Sequence, residues 1–226
     1  MGYAGPMTHT AVPASTPSPA HRPVAGLLLA AGGGRRLGGR PKALLDFRGR
    51  PLVEHAARVL REGGCDRVLV VLGAAVETVR ARADLSAYAT AENPDWAHGM
   101  GSSLRVGLAA LADSGAGAAL VSLVDQPGVG AAAVARVIAA YEGGADLVAA
   151  AYDGKRGHPV LFGAGRWAAV AAGATGDRGA RAYLKEHEDA LTLVECADVA
   201  EPYDIDTPRD LFRLASPGAP RAGEGR

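Results

Sequence analysis

The sequence predicts an α/β fold: a mostly parallel sheet with helices on both faces, arranged as three layers in a single domain. Three observations carry that prediction. Short apolar runs alternate with stretches of helical periodicity along most of the chain, which is the order that builds strand–helix–strand units. The filling is mainly Ala, Val, Leu and Gly, with 48% hydrophobic and only 5% aromatic residues, a composition suited to helices packed closely on a sheet. A length of 226 residues is enough for one full hydrophobic core.

The elements follow in order. Residues 1–22 (MGYAGPMTHTAVPASTPSPAHR) carry too little apolar surface to order themselves and read as a disordered leader. The stretch lacks the apolar middle of a signal peptide. Residues 24–30 (VAGLLLA) are a continuous apolar run closed by glycines, the pattern of a buried parallel strand. Residues 51–62 (PLVEHAARVLRE) place Leu52, Ala56, Val59 and Leu60 at helical spacing, with Pro at the start and Gly63-Gly64 as the stop. A second strand spans 67–72, a short helix 75–83 and a weak strand 88–91. Residues 101–113 form a helix with Leu104, Leu108 and Leu111 on one side.

A further apolar strand, 118–124, ends at Asp125. A helix at 131–141 and a strand at 147–152 follow. Residues 158–162 (HPVLF) read as another strand, antiparallel to its neighbour, entered through a tight turn at Gly157-His158-Pro159. A helix at 178–187, a strand at 191–195 and a closing helix at 208–214 complete the domain, 23–215. Residues 216–226 (SPGAPRAGEGR) read as a disordered tail.

Composition also limits function. The formal net charge is zero, so no global basic field gathers nucleic acid or an anionic membrane. The two cysteines, Cys65 and Cys196, lie outside any CxxC pair or His-containing ligand spacing. They are expected as thiols of a reducing cytosol and not as a disulfide or zinc site. No apolar run reaches the length of a membrane span, and a cytoplasmic enzyme without membrane or nucleic-acid partners is expected.

The chemistry concentrates after the first strand. Leu29-Ala-Ala-Gly-Gly-Gly-Arg-Arg-Leu-Gly-Gly-Arg-Pro-Lys42 lies where ligands of open α/β sheets bind. Gly32, Gly33 and Gly34 let the backbone approach an anion and turn successive N–H groups toward it. Arg35, Arg36, Arg40 and Lys42 supply cations within the same loop. The spacing fits neither GxxxxGK[ST] nor a dinucleotide fingerprint. Read from its residues alone, it is either a phosphate cradle or a basic surface loop.

The segment resembles the LAAGxSxRMGxxK signature of the molybdenum-cofactor nucleotidyltransferases, a branch of the Rossmann-like NTP transferases. ENPDWAHGMGSSLRVGL (92–108), SLVDQP (122–127), RGHPVLF (156–162), GDRGAR (176–181) and DIDTPRDL (204–211) match the cytidylyltransferase group of that family in order. The resemblance spans 24–214. Gly34 stands where Ser is usual, Leu37 where Met is usual, and Gly101 where Ser is frequent. It implies a single-domain Rossmann-like nucleotidyltransferase fold and transfer of NMP from an NTP, with CTP favoured, onto a small phosphorylated acceptor. Molybdopterin is the implied acceptor, with hand-over of the product to a molybdoenzyme or its chaperone. A sugar 1-phosphate or another cofactor precursor is the alternative acceptor, and a non-catalytic nucleotide-binding regulator the alternative role.

On that basis Arg36, Lys42 and Asp125 are the expected catalytic residues. Leu29, Ala30, Ala31, Gly32, Gly33, Gly34, Arg36, Lys42, Asn93, Gly99, Met100, Ser102 and Ser103 are expected around the nucleotide. Ser102 and Ser103 can serve base recognition and N-capping of their helix together, and Trp96 reads as loop packing, with a stacking platform as the alternative. Asp125, at a strand's carboxyl end, is either a Mg²⁺ ligand or a cap of the next helix. Asp206 (with Asp204 as the alternate) is either a second ligand, brought to the same metal in the related fold, or a helix cap before Thr207-Pro208. Mg²⁺ suits this set because it takes one or two carboxylates and completes its shell with phosphates. His158, Asp177, Arg178 and Arg181 are expected at the acceptor, against structural roles for the histidine and a solvated helix start for the rest.

Overall fold

The computed structural model describes residues 22–215. The leader and tail expected at 1–22 and 216–226 lie outside the described residues, except Arg22. Arg22 belongs to the folded domain: its guanidinium donates to the Tyr141 carbonyl at 2.9 Å and sits 4.3 Å over that residue's ring.

The chain opens with β1 (Val24–Leu29). A two-stranded ribbon of β2 (Asp46–Phe47) and β3 (Arg50–Pro51) precedes α1 (Leu52–Glu62). Then come β4 (Arg67–Leu72), α2 (Val76–Arg82), β5 (Ala89–Glu92) and α3 (Met100–Leu111). They are followed by β6 (Ala118–Leu123), α4 (Ala131–Glu142), β7 (Leu147–Tyr152) and β8 (Lys155–Gly163). The chain closes with α5 (Trp167–Gly173), α6 (Arg181–Glu186), β9 (Thr192–Glu195) and α7 (Phe212–Ala215).

Seven strands form one sheet in the order β5-β4-β1-β6-β8-β7-β9. All neighbours are parallel except β8, which runs antiparallel to both β6 and β7. Alternation along β1 divides the core in two. Val24 and Leu28 join the cluster under α1 and α4, while Ala25, Leu27 and Leu29 join the one under α3, α5 and α6. The result is a three-layer α/β domain.

The connections leaving β1 and entering β6 run on opposite faces, through α1 and α3. Their divergence opens a crevice at the carboxyl ends of β1 and β6, the ligand position of doubly wound sheets. Because β8 is reversed, its first residues lie at this same end of the sheet.

Two expectations are corrected. Gly157-His158-Pro159 is not a turn: the three residues lie inside β8, and the turn is Asp153-Gly154, at φ 51° and 74°. Asp-Gly supplies the left-handed pair that a two-residue hairpin needs, and Pro159 lies where the β7–β8 register shifts, between the pairs Ala149–Val160 and Ala151–Arg156. The helix expected over 178–187 is divided into a 3₁₀ turn (Gly176–Arg178) and α6, with Gly179 between them at φ 52°. The helix α5 and the β2–β3 ribbon have no counterpart among the expected elements. No helix among the described residues is long and apolar enough to cross a membrane.

Candidate functional site

The glycine-rich loop leaves β1 and turns at once. Gly34 sits at φ 61°, and a Cβ built there would lie 1.8 Å from the Arg40 carbonyl oxygen. Only glycine closes this loop, which explains the departure from Ser at that position. The Gly34 carbonyl accepts from Leu37 N at 2.8 Å and from Gly39 N at 3.1 Å. A single 3₁₀ turn, Arg35–Leu37, follows the glycines, and a second, Lys42–Leu44, brings Lys42 back over the end of β6.

There the Lys42 ammonium donates to Asp125 Oδ2 at 2.6 Å and to Asp206 Oδ1. Arg36 Nη1 reaches Asp206 Oδ2 at 3.4 Å. Burial works against the charge on Lys42, but the Asp125 and Asp206 carboxylates outweigh it and hold the ammonium above its ordinary range. Asp206 arrives because the 203–206 segment is stitched to the end of β6, with Ile205 N donating to the Asp125 carbonyl at 2.9 Å. Ile205 is fully buried, and Asp206 beside it reaches Lys42.

The capping alternatives for both carboxylates are excluded. Thr207 caps the turn that follows Asp206, in a capping box with Asp210, and α4 is entered through Gly130. Asp204 stands apart from the pair: it accepts from Gln126 Nε2 at 2.8 Å. Burial, reinforced by Asp125 and Asp206, pushes its carboxyl up.

Beside this cluster is a cleft of about 290 Å³. Of the expected residues it is lined by Leu29, Ala31, Gly32, Gly33, Gly34, Arg36, Lys42, Gly99, Met100, Ser103, Asp125 and Asp206. Arg35, Trp96 and Ala97 line it as well; Arg35 was legible as loop charge, and Trp96 as loop packing with a stacking platform as the alternative. Ala30, Asn93 and Ser102 are placed otherwise than expected. Ala30 is buried under the sheet on the α1 side. Asn93 is fully buried and donates to the hydroxyls of Ser102 at 2.8 Å and Ser103 at 3.0 Å. Ser102 spends its hydroxyl on the Asp95 and Gly99 carbonyls, at 3.0 and 2.8 Å. Asn93 and Ser102 hold a loop in place and are not among the residues that line the cleft, and neither serine is the N-cap of α3, which is Gly99.

Asn93→Ala is therefore expected to cost about 1–3 kcal/mol of stability by stranding buried hydroxyls, visible as a lower urea midpoint. An unchanged midpoint would contradict the structural role.

A second cavity of about 180 Å³ adjoins the first. Leu29, Met100 and Asp177 belong to both. Its floor is apolar, with Leu104, Val121, Val160, Phe162 and Leu184, and Arg156, His158, Arg178 and Arg181 complete its lining. Arg156 was absent from the expected set, although it opens the RGHPVLF segment. Burial pushes the His158 imidazole down, so near neutral pH it is an uncharged group among arginines.

Hard carboxylate oxygens converging beside a phosphate-sized cleft fit a divalent cation such as Mg²⁺. Among the described residues no cluster of three or more His, Cys, Asp or Glu could hold a metal.

The model of the MobA-like NTP transferase domain matches residues 26–191. The chain is 43% identical over 198 residues to the nicotine blue oxidoreductase of Paenarthrobacter nicotinovorans, covering 84% of this chain and 96% of that protein. It is 43% identical over 72 residues to a molybdenum cofactor guanylyltransferase of Pseudomonas putida, covering 31% of this chain and 34% of that one. Among solved structures it resembles Rv0371c of Mycobacterium tuberculosis H37Rv in complex with manganese. That likeness has a TM-score of 0.71 and 29% identity, and covers 85% of this chain and 97% of that one. With the domain model covering most of its length, the chain belongs to the MobA-like NTP transferase family and is, by class, a nucleotidyltransferase.

Proposed function

We propose that the protein transfers a nucleoside monophosphate from an NTP, with CTP preferred, to a phosphorylated heterocyclic acceptor of the molybdopterin kind, releasing pyrophosphate. One observation carries the reading: Lys42, Asp125 and Asp206 meet at the mouth of a glycine-lined cleft that opens into an arginine-lined second cavity. In the reaction an acceptor phosphate oxygen forms a bond to the α-phosphorus as the bond from that phosphorus to the pyrophosphate oxygen breaks. A phosphate dianion is already a nucleophile at neutral pH, so no general base is needed. The chain's work is placement and charge neutralisation. Arg36 and Lys42 offset charge on the phosphates, and the loop's N–H groups orient them. A divalent cation, Mg²⁺ in this reading, would be held by Asp125 and Asp206 and would neutralise charge on the same phosphates when bound.

The second cavity supports the acceptor class. Its apolar floor offers few partners for sugar hydroxyls but suits a flat ring, and its arginines suit a phosphate. The preference for CTP is supported by Ala31, which is buried at the end of β1 and lines the cleft. Its methyl narrows the space for a purine. The guanylyltransferase relative matches too short a segment to decide the base. Hand-over of the nucleotide product to a molybdoenzyme or its chaperone follows from this reading.

A second reading follows from the Paenarthrobacter relative, whose name describes redox chemistry on nicotine blue. The cleft would then hold a nucleotide redox cofactor. The two carboxylates beside Lys42 favour transfer. The test is pyrophosphate release with CTP and GTP, each with molybdopterin and with a sugar 1-phosphate, alongside reduction of nicotine blue by NADH or NADPH. The expected result is pyrophosphate release with molybdopterin and a higher kcat/KM for CTP. A preference for GTP would overturn the choice of base alone. Redox turnover without pyrophosphate would overturn the transfer reading.

A further inference from the structure

We propose that Trp96 is a positioning residue whose indole braces the glycine-rich loop against the segment after β4, presetting the loop for a nucleoside triphosphate. This rests on the nucleotide-transfer reading above.

Trp96 begins a 3₁₀ turn, Trp96–His98, between β5 and α3. Its ring lies against two glycines from different segments. A Cβ at Gly33 would stand 2.9 Å from Trp96 Cζ3 and 3.0 Å from Cη2. A Cβ at Gly73 would stand 2.6 Å from Trp96 Cβ and 2.8 Å from the Ala31 methyl. Gly33 therefore excludes a side chain while the indole is in place, and Gly73 is closed by the Trp96 Cβ and the Ala31 methyl at the root of the same ring. The two segments also touch through their backbones, Ala74 N donating to the Ala31 carbonyl at 3.0 Å. The indole fills the wedge between the end of β1 and the turn after β4.

The turn that carries Trp96 is itself anchored. Asp95 N donates to Asn93 Oδ1 at 3.0 Å, and Asp95 O accepts from the Ser102 hydroxyl at 3.0 Å. Asn93 also holds Ser103, at 3.0 Å. This buried polar network ties residues 93–95 to the first turn of α3, and Trp96 carries that anchorage across to Gly33. The network so explains why Asn93 and Ser102 face inward: they act on the loop at a distance.

A loop with glycines at 32, 33, 34, 38 and 39 has many conformations, and ordering it on binding costs affinity. A rigid ring wedged against it lowers that cost, because fewer loop conformations remain to be ordered on binding.

The test is a double-mutant cycle on Trp96→Ala and Gly33→Ala, read as Kd for CTP and GTP by calorimetry and as KM and kcat. Each single variant is expected to weaken binding of the preferred NTP about tenfold, with kcat changed less than about threefold. The double variant is expected to bind no more weakly than Trp96→Ala, because the added methyl no longer meets the ring. Trp96→Phe restores most of the affinity, and Trp96→Leu, which lacks the ring, replaces Trp96→Ala in the cycle should the alanine variant fail to fold. Equal losses from Gly33→Ala in both backgrounds would overturn the brace, as would a fall in kcat with Kd unchanged. A wild-type protein that binds neither nucleotide would overturn the transfer reading, and this proposal with it.

Discussion

Asp125→Asn is expected to lower kcat/KM for nucleotide transfer by about a hundredfold or more while leaving the fold intact. The amide keeps the shape of the side chain but removes half of the negative charge that Asp125 and Asp206 present together beside the cleft. Neutralising developing charge on transferring phosphates is worth several kcal/mol when a cation is held there, and each 1.36 kcal/mol is a factor of ten in rate. Stability should change little, because the side chain is only partly buried and Lys42 keeps Asp206 as its partner. The measurement is pyrophosphate release at saturating and limiting divalent cation, beside a melting curve. Unaltered turnover would remove Asp125 from the chemistry.

Lys42→Gln carries the second large effect, and it runs in two directions. Turnover should fall by roughly 1–3 kcal/mol of transition-state stabilisation, because a charge-assisted contact to the phosphates is lost. Affinity for a divalent cation without nucleotide should rise. In the free protein the ammonium bonds both carboxylates, so an entering cation competes with Lys42 for them. An NTP that draws Lys42 to its phosphates removes this competitor, and linkage then requires cation and nucleotide to strengthen each other's binding by the same factor. Titration of Mn²⁺ followed by its electron paramagnetic resonance should show tighter binding to Lys42→Gln than to the wild type, and a smaller gain on adding CTP. Equal or weaker binding by the variant would show that Lys42 does not compete.

The main elements were legible because their signals are local. Six-residue apolar runs such as β1, β6 and β7 read directly as strands buried on both faces. The antiparallel course of β8 was legible too, but its entry was not. A Gly-His-Pro sequence carries turn residues, and only the sheet register shows that Asp153-Gly154 makes the turn. The α5 sequence, WAAVAAG, offers almost no contrast between faces, so periodicity is silent there.

The site divides in the same way. The loop, Lys42 and Asp125 stand in motifs whose spacing is local. Asp206 meets Lys42 across 164 positions of chain, and only the family resemblance suggested that meeting. Asn93 and Ser102 lie outside the cleft lining because both are buried in a polar network behind it. Serines in the first turn of a helix look the same in sequence whether they face a cleft or the loop above them.

The reversal of β8 separates two histories that a fully parallel sheet would bind together. Residues of the nucleotide cleft come largely from the carboxyl ends of β1 and β6, where any change in length would shift the phosphate loop or Asp125. Arg156 and His158 come instead from the opening of a strand that is joined to β7 by a two-residue hairpin. That hairpin can lengthen, shorten or exchange side chains without moving β1, because β6 lies between them. The cleft at the ends of β1 and β6 is thereby insulated from changes in the β7–β8 hairpin, which makes that hairpin the segment to exchange when the second cavity is to be altered without disturbing the first.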